Sequence, residues 1–298
     1  MRKLYVIPGV ALLTGALLTG TGCGGSDKPG SDETASDTLL QSAADSLLTF
    51  FQIPMPGEFY AHLRRLGLKP KPDLLNPVEN ISKYTGSKEK AINFGVYSSD
   101  LFYSSNFDHK ADVLKIFNNL RKLSEEMGIA SVLSESLYKR TEKNLSNKDS
   151  LNAIASEVFF EASSNLEKNK QGASLALVIA GGFVESLYIS TALADGEKEG
   201  SVVYQYLADQ KYPLENLFHY LDKHDSDNRV GEVRIALEPL KNVFDSIKEE
   251  SVNREQENSS KRIIGSNSRL VLTSAQFKEL KDVSARIRKE FTLNQSSK

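Results

Sequence analysis

One long apolar segment constrains the fold of this chain more than any other feature. Residues 173–194 read ASLALVIAGGFVESLYISTALA and are apolar on almost every side, which is typical of a buried helix. A run of about 20 apolar residues could also cross a bilayer. The acid Glu185 in its middle and several small polar residues argue against a membrane span. The segment therefore predicts a central buried helix.

Helical periodicity recurs along most of the chain. In 111–127 apolar residues recur at a spacing of three to four, and Gly128 is suited to close that helix. Ser87 is expected to cap a helix reaching about Asn106, and capping side chains are expected at 147–150 and 273–274. The other expected helices are 38–51, 132–143, 149–169, 201–209, 214–224, 230–250 and 274–291. These patterns predict an all-α fold, a multi-helix antiparallel assembly in one domain over 38–298.

Strand signals are confined to one region near the C-terminus. Ile263-Ile264 and Leu270-Val271-Leu272 flank a Gly-Ser-Asn-Ser turn, so a small hairpin is expected at 263–272. The polar run 250–262 is expected to form an exposed loop.

The N-terminus has the features of a secretory signal. Arg2 and Lys3 precede a short apolar stretch, and small residues lead to Cys23, the only cysteine in the chain. A lone cysteine has no internal disulfide partner, and this one resembles the bacterial lipobox, although Gly20 stands where that pattern usually has Leu. We expect a signal peptide at 1–22 and acylation of Cys23. Several buried acyl chains would anchor the protein stably in a membrane.

The segment after Cys23 predicts a flexible tether over 23–37. It is rich in Gly, Ser and acidic residues and has no aliphatic residue larger than Ala. Gly24, rather than Asp, follows the cysteine, which resembles lipoproteins forwarded to the outer membrane. The acidic Ser-rich stretch resembles the surface-export tethers of Bacteroidetes lipoproteins. The expected location is the outer membrane, with the domain facing either the periplasm or the cell surface.

The charge balance excludes some classes of partner. The formal net charge is −2, with no basic stripe, so no nucleic-acid partner is expected. The membrane, through the lipid anchor, and an envelope protein or small molecule remain as partners. The sequence predicts no cofactor and no metal site. His219 and His224 are five residues apart, and the Asp-rich run beside them lacks the Gly and Glu of a calcium loop.

Two acids are the weak candidates for catalysis. Glu185 on the buried helix needs a partner or a raised pKa, and such a group can act as a general acid or base. The alternative is a hydrogen-bonded acceptor facing a Tyr or Arg on another helix. Asp100 could pair with Glu185 across an open cleft, as the carboxylates of a hydrolase do.

The same helices supply weak candidates for ligand binding. Asn93, Tyr97 and Asp100 share one helical face with Ser104 and could line a pocket or form a hydrogen-bond ladder between packed helices. Gly181 and Gly182 lower helix propensity, which favours either close approach of a neighbouring helix or a bound ligand. The remaining candidates in this set are Glu185 and Tyr188.

Four stretches resemble a group of uncharacterised helical lipoproteins from Bacteroidetes. An Ile-Pro-x-Pro segment (Ile53, Pro54, Pro56) precedes a short helix, and a Leu-Asn-Pro-x-x-Asn-x-Ser-x-Tyr stretch follows at 75–84. The two remaining stretches are Gly-Val-Tyr-x-x-Asp-Leu at 95–101 and GGFVESLYI at 181–189. The resemblance implies export, a lipid anchor and an all-α fold, and it implies no activity.

Three functions remain open at this point. The first is a non-enzymatic binding or scaffold lipoprotein of the envelope, which the missing catalytic motif favours. The second is a carboxylate-dependent enzyme using Asp100 and Glu185. The third is a carrier of a small ligand in an interhelical pocket near Tyr97 and Gly181-Gly182.

Overall fold

The apolar segment that dominates the sequence forms a helix at the centre of the fold. The computed structural model describes residues 55–251 and 268–293, which belong to one compact unit. Within these ranges, helix Gly172–Leu193 is the one long and apolar enough to cross a membrane, and most of it is buried in the core. The predicted signal peptide, Cys23, the tether and the helix at 38–51 lie outside the described residues.

Ten α-helices and one small sheet make up the described fold, which confirms the predicted all-α assembly. Short 3-10 turns at Pro72–Leu74, Val78–Lys83 and Ala130–Val132 connect some of them. In chain order the elements are α1 (Pro56–Arg65), α2 (Ser87–Asn106), α3 (Val113–Glu126), α4 (Glu135–Lys143), α5 (Lys148–Lys168), α6 (Gly172–Leu193), α7 (Val202–Ala208), α8 (Lys211–Asp222), α9 (Asn228–Asp245), β1 (Lys248–Ser251), β2 (Ser268–Val271) and α10 (Ser274–Thr292).

The outer helices follow the simple amphipathic rule. In α3 the residues at the predicted spacing are buried and the opposite face is exposed. Gly128 follows α3 with a φ of 77°, the left-handed conformation that favours glycine at a helix end. Asn147 caps α5, and Thr273 forms a capping box with Gln276 at the start of α10. Helix α2 starts at Ser87 but its N-cap is Gly86, one residue before the predicted cap.

One predicted helix is too long, because its end forms a strand. The helix expected at 230–250 stops at Asp245, and Lys248–Ser251 pairs antiparallel with Ser268–Val271. The second strand lies inside the predicted hairpin at 263–272, while Ile263 and Ile264 lie outside the described residues. A helical period cannot reveal this pairing, since the hydrogen bonds of β1 go to a segment about 20 residues further on.

Helices α2 and α6 form the centre of the molecule. From Ala91 to its last residue α2 is buried on every side, although only part of its sequence is apolar. The two helices run in the same direction, since Ile92 lies against Gly181 and Ser99 lies against Ser186. Helix α10 packs on α6 in the opposite direction, while α1, α3 and α5 pack around α2. Side chains that α2 shares with α6 are therefore shielded from water.

Candidate functional site

Glu185 and Arg288 form an ion pair inside the fold. The Arg288 Nε donates to Glu185 Oε2 at 2.9 Å, and its Nη2 donates to Oε1 at 3.1 Å. The Glu185 side chain is 0% exposed and the Arg288 side chain 15%. Arg288 also donates to the backbone oxygen of Leu74 and lies over the ring of Tyr188 at 4.8 Å. The buried helix and the C-terminal helix are thus joined by a two-point charged contact.

Asp100 of α2 completes this buried centre. Its Oδ2 accepts a hydrogen bond from the backbone N–H of Asn76 at 3.1 Å, and its carboxyl group lies close enough to Glu185 for the charge of Glu185 to act on it. No donor in the described residues reaches the other oxygen, Oδ1, and the residue is 0% exposed. Two carboxyl groups therefore meet beside a single guanidinium.

Burial decides the charge state of Asp100. Desolvation raises its pKa well above the usual range, the negative charge of Glu185 raises it further, and Arg288 opposes both only in part. Burial lowers the pKa of Arg288, but the charge and hydrogen bonds of Glu185 outweigh this and raise it. The environment of Asp100 therefore favours its protonated form, while Glu185 is held by the two hydrogen bonds from Arg288.

A chain of hydroxyl groups lies beside the charged centre. Tyr60 of α1 and Ser99 share a hydrogen bond at 2.6 Å, and Ser99 and Ser186 share one at 3.0 Å. Ser186 can donate to the backbone oxygen of Gly182 at 2.7 Å. Burial raises the pKa of Tyr60 well above its ordinary value, so the phenol stays neutral. The chain joins α1, α2 and α6 through neutral groups.

The segment 72–84 covers the centre on one side. Asn76 donates through its side chain to the Tyr84 hydroxyl at 2.9 Å, and Tyr84 donates to the backbone oxygen of Thr292 at 3.2 Å. Burial raises the pKa of Tyr84 to about 12. Tyr97 donates to the Pro77 oxygen at 3.0 Å. These hydrogen bonds fix the segment 72–84 to α2 and to the end of α10.

The polar row of α2 is used for packing contacts. Asn93 donates to the backbone oxygens of Glu89 and Phe291, at 2.9 and 2.8 Å. Tyr97 and Asp100 bind the 72–84 segment, as described above. Ser104 is buried, and its hydroxyl has no partner among the described residues. The row therefore ties α2 to a loop and to α10.

Gly181 of α6 and Gly95 of α2 let the central helices approach closely. A Cβ added to Gly181 would lie 2.0 Å from the backbone oxygen of Ile92, and one added to Gly95 would lie 1.9 Å from that of Val178. At Gly182 the nearest atom would be 3.4 Å away, an ordinary contact. For Gly181 the structure therefore shows close approach of a neighbouring helix, whereas Gly182 does not need to be glycine for that contact.

The candidate site residues are therefore brought together, but without an opening. Asn93, Tyr97, Asp100 and Glu185 are buried, and Tyr188 is partly exposed against Arg288. Cavities of about 390 and 330 Å³ lie elsewhere in the described residues, and neither is lined by Tyr97, Asp100 or Glu185. The geometry gives the enzyme and interhelical-carrier hypotheses no support at these residues, and both stay predictions.

The Asp-rich turn near the histidines joins α8 to α9. Asp222 pairs with Arg234, and Asp227 caps α9 and pairs with Arg229. His219 is exposed, and His224 packs its ring beside Tyr220. In the described parts of the chain no group of three His, Cys, Asp or Glu residues is placed to hold a metal ion.

Sequence reasoning did not identify the partners of the two acids. Arg288 lies 103 residues after Glu185 in an ordinary amphipathic helix, and Asn76 contacts Asp100 through its backbone N–H. Neither contact leaves a local pattern in the sequence. No protein-family model matches this chain, and comparisons with curated proteins and with solved structures found no match.

Proposed function

We propose that this protein is a lipid-anchored envelope lipoprotein that acts as a non-enzymatic binding or scaffold module. The N-terminal signal, the single Cys23 and the polar tether support the anchor. The resemblance of four stretches to helical Bacteroidetes lipoproteins supports the outer membrane as its location. We also propose, on those stretches, that the chain belongs to that group.

One observation supports the non-enzymatic part of the proposal. The two buried acids Asp100 and Glu185 are 0% exposed; burial raises the pKa of Asp100, and Glu185 is paired with Arg288. A general acid or base must come within hydrogen-bonding distance of its substrate. The two buried carboxyl groups instead connect α2, α6, α10 and the 72–84 segment, and so stabilise the fold. A binding or scaffold protein needs such a stable surface for its partner.

Metabolic labelling tests the anchor. The full chain, expressed in a Gram-negative host with an alkyne-bearing palmitate, is expected to carry the label and to sediment with outer-membrane fractions. Cys23→Ala should lose the label and the membrane association, whereas Ser26→Ala in the same tether should retain both. An unlabelled wild-type chain, or equal labelling of the Cys23→Ala form, would contradict the anchor.

A crosslinking pull-down from intact envelopes, paired with a turnover screen, tests the module. We expect one partner to be recovered with the wild-type chain in amounts close to stoichiometric. Asp100→Asn should recover it equally, because the amide preserves the packing and hydrogen bonding of the centre. Hydrolysis of any glycoside, ester or peptide that the wild type performs and Asp100→Asn does not would overturn the non-enzymatic assignment.

A further inference from the structure

A second polar region lies at the other end of the central helix pair, outside the centre described above. It is a cavity of about 390 Å³ between the first turns of α2, α6 and α9. This volume falls in the range of about 300–1,000 Å³ that small-molecule sites occupy. Three cationic side chains line it, namely Lys90, Lys170 and Arg229.

The charge of this cavity differs from that of the whole chain. Glu126 and Asp227 also line it, so three cations face two anions, whereas the chain as a whole has a net charge of −2. Lys90 pairs with Glu126 at 3.1 Å, and Arg229 pairs with Asp227 at 2.6 Å. Lys170 forms no ion pair with any described residue, so the excess positive charge of the cavity belongs to its ammonium group.

Hydrogen-bond donors remain available on all three cations. Arg229 uses its Nε and Nη2 on Asp227 and its Nη1 on Ser87, which leaves two of its five N–H groups free of those contacts. Lys90 contacts one carboxylate and has three donors, and those of Lys170 are unused within the described chain. A compact oxyanion can accept several such bonds at once.

The N-terminus of α6 adds to the positive potential of this cavity. Helix α6, of 22 residues, begins here without a side-chain cap, whereas the first turn of α2 contains the acid Glu89. The first turn of α6 contains no acidic residue, and Ala173 and Ser174 of that turn line the cavity. The positive end of the α6 dipole therefore lies at the cavity without an acid in its own first turn.

We propose that this cavity binds a small oxyanion, a phosphate group being the chemistry that its compact cluster of cationic donors fits best. Lys170 supplies the uncompensated charge, while Arg229 and Lys90 donate from two other sides. The proposal deepens the binding role proposed above and rests on it.

Two substitutions separate binding from folding. Lys170 has a φ of 57°, a left-handed conformation that glycine adopts freely, so Lys170→Gly should fold with unchanged or higher Tm. Ser174→Glu places an acid in the first turn of α6, where negative charge favours the helix but repels an anion. As a matched control, Lys198→Gln removes one charge from the loop after the other end of α6, about 33 Å from its start.

Calorimetric titration of the detergent-solubilised full chain with inorganic phosphate at low ionic strength tests the proposal. We expect saturable binding to the wild type and to Lys198→Gln, about tenfold weaker binding to Lys170→Gly, and no saturable binding to Ser174→Glu. The proposal would be overturned if phosphate did not bind saturably to the wild type. It would also be overturned if folded Lys170→Gly and folded Ser174→Glu bound phosphate as tightly as the wild type does. Palmitate labelling and the envelope pull-down are measured on the same chain, so failure of the site and failure of the proposed function are distinguishable.

Discussion

The contact between α2 and α6 has two halves with different physical requirements. In the first half Gly95 and Gly181 let the two backbones touch, because neither residue has a side chain. In the second half the carboxyl groups of Asp100 and Glu185 lie beside Arg288, so the contact depends on the charge of these groups. In the glycine half, any added side-chain atom should lower the free energy of unfolding. In the charged half, a substitution that keeps the shape of the side chain should be tolerated, whereas loss of a charged partner should be destabilising. The four predictions below test that difference.

The largest effect is expected from loss of the buried cation. Arg288→Ala removes the cationic partner of the buried Glu185, which should cost about 3–5 kcal/mol of unfolding free energy. Urea unfolding of the full chain, followed by far-ultraviolet circular dichroism, measures this cost. Arg286→Ala removes an exposed arginine from the same helix and should change stability by less than about 0.5 kcal/mol. Equal values for the two variants would show that the ion pair contributes no stability.

The glycine half should respond to one methyl group. Gly181→Ala forces a Cβ against the Ile92 oxygen, so the helices must separate, at a cost of about 1–3 kcal/mol. Gly182→Ala makes only ordinary contacts and gains helix propensity of up to about 1 kcal/mol. The same unfolding measurement should therefore give opposite signs for adjacent residues. A destabilisation of similar size at both positions would contradict the close-approach assignment.

The charged half should tolerate a neutral isostere of Asp100. Its folded-state pKa is raised above the unfolded value of about 3.9, so its contribution is fully present below that pH. Above it, stability falls by at most about 1.4 kcal/mol per pH unit until the folded pKa is reached. Asp100→Asn has no proton to lose, and its amide can donate to Glu185 while its oxygen accepts from Asn76.

Unfolding free energies measured across the pH range check this prediction. The difference between Asp100→Asn and the wild type should grow in favour of the variant as pH rises from about 4. Asp282→Asn, at an exposed position of α10, provides a control with the same chemical change. Parallel pH profiles for the wild type and Asp100→Asn would refute a protonated Asp100.

The smallest effect is expected in the neutral hydroxyl chain. Tyr60→Phe removes one hydrogen-bonding group and leaves Ser99 and Ser186 able to bond to each other, which should cost about 1 kcal/mol. Tyr212→Phe, at a half-exposed ring, should have almost no effect. Thermal unfolding of the two variants measures the difference in stability. If Tyr60→Phe lowered the unfolding free energy as much as Arg288→Ala does, the hydroxyl groups rather than the charged groups would be the main contact between the helices.

The helices themselves were largely predictable, because periodicity and caps are local properties. Residues 111–127 and 173–194 fold within two residues of the predicted bounds, and Gly128, Asn147 and Thr273 act at the expected helix ends. The end of α9 was not predictable, because β1 forms only through pairing with a distant strand. Among the site residues, the shared face of Asn93, Tyr97 and Asp100 followed from helical spacing, but their partners did not.

The sequence by itself determined that this chain has a mostly helical core around 173–194, since nearly continuous apolar character leaves a helix nowhere to go but the interior. It also predicts export and a lipid anchor from the residues around Cys23. Only the tertiary structure decided what Asp100 and Glu185 do. A buried carboxyl group is an acid, a base or a structural tie according to what stands next to it, and Arg288 and Asn76 reach it through chain folding rather than chain order. The cavity lined by Lys90, Lys170 and Arg229 likewise depends on the tertiary structure. It forms because the N-termini of α2, α6 and α9, which are far apart in sequence, lie next to one another.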